Sequence, residues 1–135
     1  MITVVKEFSF EAAHYLPGYK GACANLHGHS YRLLVGVFGE INPETGMIID
    51  FKTLKKMVQP IVDLLDHSYL NKVSTYGFPY FMPTAENMIE WIRDRLVNYY
   101  VFDEHGPLES EFTRLRNLSF IRLYETANSY AEWRA

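Results

Sequence analysis

Residues 23–31 read CANLHGHSY, a stretch holding the single cysteine of the chain and two of its five histidines. His27 and His29 are separated by one residue, Gly28, and His14 lies upstream in FSFEAAHYL. Side chains two apart on a strand point the same way. His27 and His29 therefore aim their ring nitrogens at one point if the strand includes both, and His14 on an adjacent strand completes a facial set. Three neutral imidazoles with an open fourth position are a recurring design of catalytic zinc. A closed structural site wants a fourth ligand, and Cys23 is close enough in sequence to supply it, so the residues leave both designs open. Gly28 lets the backbone approach a metal or ligand closely. Any one of these histidines alone reads more readily as a packed core residue. The weight rests on three of them, with a cysteine, on neighbouring strands.

Three further candidates carry titratable groups. Glu125 continues a strand face formed by Ile121 and Leu123. A carboxylate in line with a core face is costly unless paired, and the pattern favours an ion pair or a strand end reaching solvent. Near the site, it would suit a planar pair of donors. Asp66 and His67 follow a helical segment. A histidine there complements the helix dipole, and with the adjacent acid it is also equipped for proton transfer. His105 reads as an exposed loop residue.

These residues need a scaffold, and the periodicity supplies one. Residues 2–10 alternate and are β-branched or aromatic, which predicts a strand running on toward His14. A Gly- and Pro-containing loop follows, then a second strand from His29 to Glu40. Between Lys52 and Leu65, the residues Leu54, Met57, Val58, Ile61, Leu64 and Leu65 recur at helical spacing. Thr84 stands where the N-cap of a second helix belongs, ahead of Met88, Ile89, Ile92 and Leu96. Residues 102–117 are polar and irregular. Leu118–Glu125 and Ser129–Trp133 predict two more strands. The expected architecture is α+β: a four-stranded antiparallel sheet with two helices on one face. Its edges and second face need cover, which oligomerisation supplies most simply.

The chain has 135 residues, fitting a single domain over 1–135 with a real core. Its formal net charge of −3 argues against general nucleic-acid binding. The N-terminus has neither a signal peptide pattern nor a membrane anchor. One cysteine cannot form an internal disulfide, which points to the reducing cytoplasm.

Six stretches, FSFEAAHYL, CANLHGHSY, TGMIIDFKTLK, LDHSYLN, PTAEN and YET, occur in that order and span residues 8 to 126. Together they resemble the 6-pyruvoyl-tetrahydropterin synthase superfamily, and most closely its 6-carboxytetrahydropterin synthase branch. The three-residue spacer between Cys23 and His27 resembles that branch, whereas the animal pyruvoyl-forming enzymes have a longer one. The resemblance implies a T-fold whose sheets join in trimers as a barrel, with two trimers stacked as a hexamer. It implies Zn2+ on His14, His27 and His29, an acid/base cysteine at Cys23, a proton relay at Asp66 and His67, and a pterin anchor at Glu125. The substrate implied is 7,8-dihydroneopterin triphosphate, converted to 6-carboxytetrahydropterin with loss of acetaldehyde and triphosphate in 7-deazaguanine (queuosine) biosynthesis. A pyruvoyl-forming synthase and a non-catalytic zinc-stabilised module are the alternatives. Residues 102–117 depart from the resemblance by their length.

Overall fold

The computed structural model describes residues 1–76, 82–98, 102–103, 106–107 and 115–135. Two long strands, β1 (Ile2–His14) and β2 (His27–Gly39), form an antiparallel pair over their whole length. Helix α1 (Phe51–Leu65) follows, then the two-residue strand β3 (Ser68–Tyr69), helix α2 (Ala85–Asn98) and a small ladder of β4 (Phe102–Asp103) with β5 (Gly106–Pro107). Strands β6 (Leu118–Thr126) and β7 (Ser129–Arg134) close the order. The main sheet runs β3-β1-β2-β6-β7. Five strands therefore replace the expected four, because the residues after α1 pair parallel with Ala12 and Ala13. Too short to show a period, β3 exists only through its neighbour. The β4–β5 ladder likewise corrects the irregular reading of 102–117, while His105 lies outside the described residues.

Alternation sorts each strand's side chains. Phe8, Phe10, Ala12 and His14 of β1 face the core with Tyr31, Leu33, Val35 and Val37 of β2 and with Ile121 and Leu123 of β6. Both helices cover this face, α1 against β1 and α2 against β6 and β7. Asp50 caps α1 by accepting from the Lys52 N–H at 2.7 Å. Pro60 lies on the exposed side of α1, where water can satisfy the carbonyl one turn back. The buried stripe of α1 includes Val62, whereas Leu64, expected in the core, is 38% exposed. A stripe through 54, 57, 58, 61, 62 and 65 keeps helical spacing, and residue 64 falls to its side. At α2, the Thr84 hydroxyl accepts from the Asn87 N–H at 3.3 Å, as its cap position predicts.

Among the described residues, the opposite face carries no helix and bears charged and aromatic side chains. Arg32 pairs with Glu7 at 2.7 Å, while Arg122 and Arg134 share Glu132. Arg32 stacks over Tyr124 and Arg122 over Tyr130. Among the described residues, no helix is long and apolar enough to cross a membrane.

Candidate metal centre

The strand register brings the histidines together. His14 ends β1 directly opposite His27 at the start of β2, and His29 stands opposite Ala12. β2 begins early enough to include His27, so all three imidazoles share the core face at one corner of the sheet. One ligand atom from each lies within 4.8 Å of the others. His14 is almost wholly buried, with a side chain 1% exposed, while His29 is 19% exposed.

Hydrogen bonding fixes two of the tautomers. His14 Nδ1 lies 2.8 Å from the Pro83 carbonyl, and His27 Nδ1 lies 2.8 Å from the Asn25 carbonyl. A carbonyl only accepts, so each Nδ1 carries the hydrogen. Both Nε2 atoms are then bare, and they face each other at 2.9 Å. Two opposed lone pairs need a cation between them. A proton would make one ring an imidazolium, but burial pushes the His14 pKa down despite the Pro83 bond and Glu125. Burial also lowers His29 against the opposing pull of Glu125. An all-nitrogen set with bare Nε2 atoms on His14 and His27 fits a divalent ion such as zinc. Beneath it, the fully buried Tyr31 places its hydroxyl 3.5 Å from His14 Nδ1, and burial pushes the phenol pKa far up, keeping it neutral.

Glu125 comes from the far end of β6. Its Oε1 lies 3.5 Å from His14 Nε2 and 3.5 Å from His29 Nε2, with the side chain 31% exposed. The carboxylate thus faces the imidazoles rather than a Lys or Arg. Cys23 sits half-buried in a 3₁₀ turn, Ala22–Ala24, held to the end of β1 by the Leu16 N–H donating to the Cys23 carbonyl at 2.9 Å. Its sulfur is not part of the three-histidine group.

Asp66 and His67 lie on the free edge of β1. The Glu11 N–H donates to Asp66 Oδ1 at 2.9 Å, and the His67 N–H donates to the Glu11 carbonyl at 2.6 Å. His67 adopts φ 55°, a left-handed conformation costly for a residue with a side chain. These two bonds hold it there. Asp66 Oδ1 also meets His67 Nδ1 at 3.0 Å. The Glu11 N–H bond, and after it the His67 bond, hold the Asp66 carboxyl below its usual range. The His67 imidazole is 79% exposed and lines a cavity of about 400 Å³ with Glu11, Ala13, Gly28, His29 and Ser30. One chain therefore assembles His14, His27, His29 and Glu125, and holds Asp66 and His67 against Glu11 of β1. The Pro83 and Asn25 carbonyls escaped the sequence reading because a backbone acceptor has no residue type. PTAEN was the available signal for the first of them.

Comparison with known proteins fits this arrangement. A model of the 6-pyruvoyl tetrahydropterin synthase family matches residues 3–135. A 6-carboxy-5,6,7,8-tetrahydropterin synthase of Haemophilus influenzae is 34% identical, over 98% of this chain and 99% of that protein. One from Synechocystis is 45% identical, over 71% of this chain and 75% of that protein. The structure of Caenorhabditis elegans 6-pyruvoyl tetrahydropterin synthase superposes with a TM-score of 0.79 at 26% identity, covering 99% of this chain and 95% of that one.

Proposed function

This chain belongs to the 6-pyruvoyl tetrahydropterin synthase family, and on that premise we propose that it is a zinc-dependent 6-carboxy-5,6,7,8-tetrahydropterin synthase. It is an enzyme, a tetrahydropterin synthase of the lyase class. The proposed reaction converts 7,8-dihydroneopterin triphosphate to 6-carboxytetrahydropterin, releasing acetaldehyde and triphosphate, as a step of queuosine biosynthesis in the cytoplasm. The observation that carries the reading is the pair of bare Nε2 atoms on His14 and His27, with His29 and Glu125 beside them.

His14, His27 and His29 would hold the ion. Bound there, Zn2+ supplies Lewis acidity toward hydroxyl and carbonyl oxygens of the substrate side chain. Glu125 accepts hydrogen bonds from the donor edge of the pterin ring and so sets the side chain against the metal. Cys23, on its short turn beside the end of β1, takes the carbon-bound proton as thiolate. His67 moves a second proton. Asp66, bonded to Nδ1, orients the ring so that Nε2 is the working nitrogen.

Residues 1–135 form one domain in this reading, and six chains assemble as two stacked trimers. The open edges support assembly. β3 covers β1 only at Ala12 and Ala13, and β7 has no neighbour beyond it among the described residues. Sedimentation should give a species several times 15.8 kDa, and a fully active monomer would contradict it.

The deciding assay incubates the protein with dihydroneopterin triphosphate and measures product mass and acetaldehyde. A carboxy product with acetaldehyde is expected. A pyruvoyl product without acetaldehyde would assign the pyruvoyl-forming reaction. No turnover by the zinc-loaded protein would leave a zinc-stabilised binding module. That module would use Cys23 as a fourth ligand, and the position of the thiol outside the histidine group counts against it.

A further inference from the structure

His14 stands at the last position of β1, where a strand end is free to fray. One side is secured by the His14–His27 pair with β2. The other side has almost no strand neighbour, since β3 stops after pairing with Ala13. The chain then enters the 3₁₀ turn Leu70–Tyr76. One side chain from that turn continues the ladder. The Tyr15 N–H donates to Asn71 Oδ1 at 3.0 Å, and Asn71 Nδ2 donates to the Tyr15 carbonyl at 2.9 Å. A carboxamide offers a donor and an acceptor side by side in one plane, as a peptide group does. Asn71 thus replaces the strand neighbour that β3 no longer provides. With Asp66 on the Glu11 N–H, residues 66–71 bracket β1 from Glu11 to Tyr15 and enclose His14 between their contacts.

We propose that Asn71 is a positioning residue for the metal centre. By engaging both backbone groups of Tyr15, it fixes the strand end that carries His14 and so sets where His14 Nε2 points. It acts through His14 and touches neither the ion nor the substrate. The inference rests on reading His14, His27 and His29 as the ligands. Partners that orient a metal-ligating histidine are worth roughly 10–100-fold in metal affinity. Without Asn71 the Tyr15 peptide turns to water, and the strand end that carries the buried ring is held only by its pairing with β2, while the Pro83 carbonyl still holds Nδ1.

The test is zinc affinity, measured by competition with a chromophoric chelator on folded protein, with Co2+ absorption as a second readout. Asn71→Ala should bind zinc roughly 10–100-fold more weakly than wild type, and its Co2+ bands should lose intensity. Asn71→Asp keeps the acceptor for Tyr15 but loses the donor. It should fall between, and it carries the test if the alanine variant does not fold. Val37→Ala, at the opposite end of β2 from His27, loosens the fold without touching this corner. It should bind zinc as wild type does. Wild-type affinity in the folded Asn71 variants, or an equal loss in Val37→Ala, would overturn the role of Asn71 while leaving the ligands assigned. Wild-type protein that binds no zinc would instead overturn the ligand assignment beneath it.

Discussion

Metal removal is the perturbation whose size can be worked through. If the three imidazoles hold zinc in the folded chain only, zinc at a thousand times its dissociation constant stabilises the fold by about 4.1 kcal/mol. Unfolding entropy of about 2.1 cal/mol/K per residue gives about 0.28 kcal/mol/K for 135 residues. The quotient is a rise in Tm of about 14 °C over chelated protein. His14→Ala separates metal from packing. It leaves the Pro83 carbonyl without its donor, which costs about 1–3 kcal/mol, or about 4–11 °C on the same scale, in the chelated state. The same substitution removes a ligand, so the zinc-dependent rise should vanish at the same free zinc. The assay is thermal unfolding of wild type and His14→Ala, each read against its own chelated form. A rise in His14→Ala equal to that of wild type would place zinc elsewhere. No rise in wild type at saturating zinc would refute the reading of two bare Nε2 atoms as a cation site.

Four further outcomes are expected. Cys23→Ala should retain zinc and bind a simple pterin normally but lose turnover by at least about 10²-fold, as for a general acid–base group. Glu125→Gln should weaken that pterin's binding, and the reverse pattern in one titration would show the roles misassigned. In metal-free protein, burial holds His14 and His29 below 6.5, so the unfolded state takes up protons first. Stability should be level well above pH 6.5 and fall as pH drops through it toward the folded values; a chelated protein whose Tm climbs on acidification would contradict neutral buried imidazoles. Gly36→Ala would drive a Cβ into the Phe120 ring where β2 and β6 are bulged. Overpacking of that kind costs about 1–3 kcal/mol in urea unfolding, and a variant as stable as wild type would show that the ring yields freely.

What the sequence determined by itself is what repeats locally. Alternation put Phe8, Phe10, Ala12 and His14 on one face of the first strand and His29 with Tyr31, Leu33 and Val35 on one face of the second, because the pleat has a period of two; that the second strand starts early enough to add His27 came from the fold. Helical spacing placed α1 and α2, and the short polar Thr84 marked where α2 begins. The quoted stretches carried the family resemblance because they occur in one order along nearly the whole chain, and the family model matches residues 3–135. The tertiary structure decided how those pieces meet. Only the β1–β2 register sets His14 against His27, and only long-range packing swings Glu125 onto two imidazoles. The tautomers rest on the carbonyls of Pro83 and Asn25, and the strand end rests on one carboxamide from a turn far along the chain. Backbone groups are identical at every residue, so which of them will meet a given side chain is settled by the fold and not by the letters.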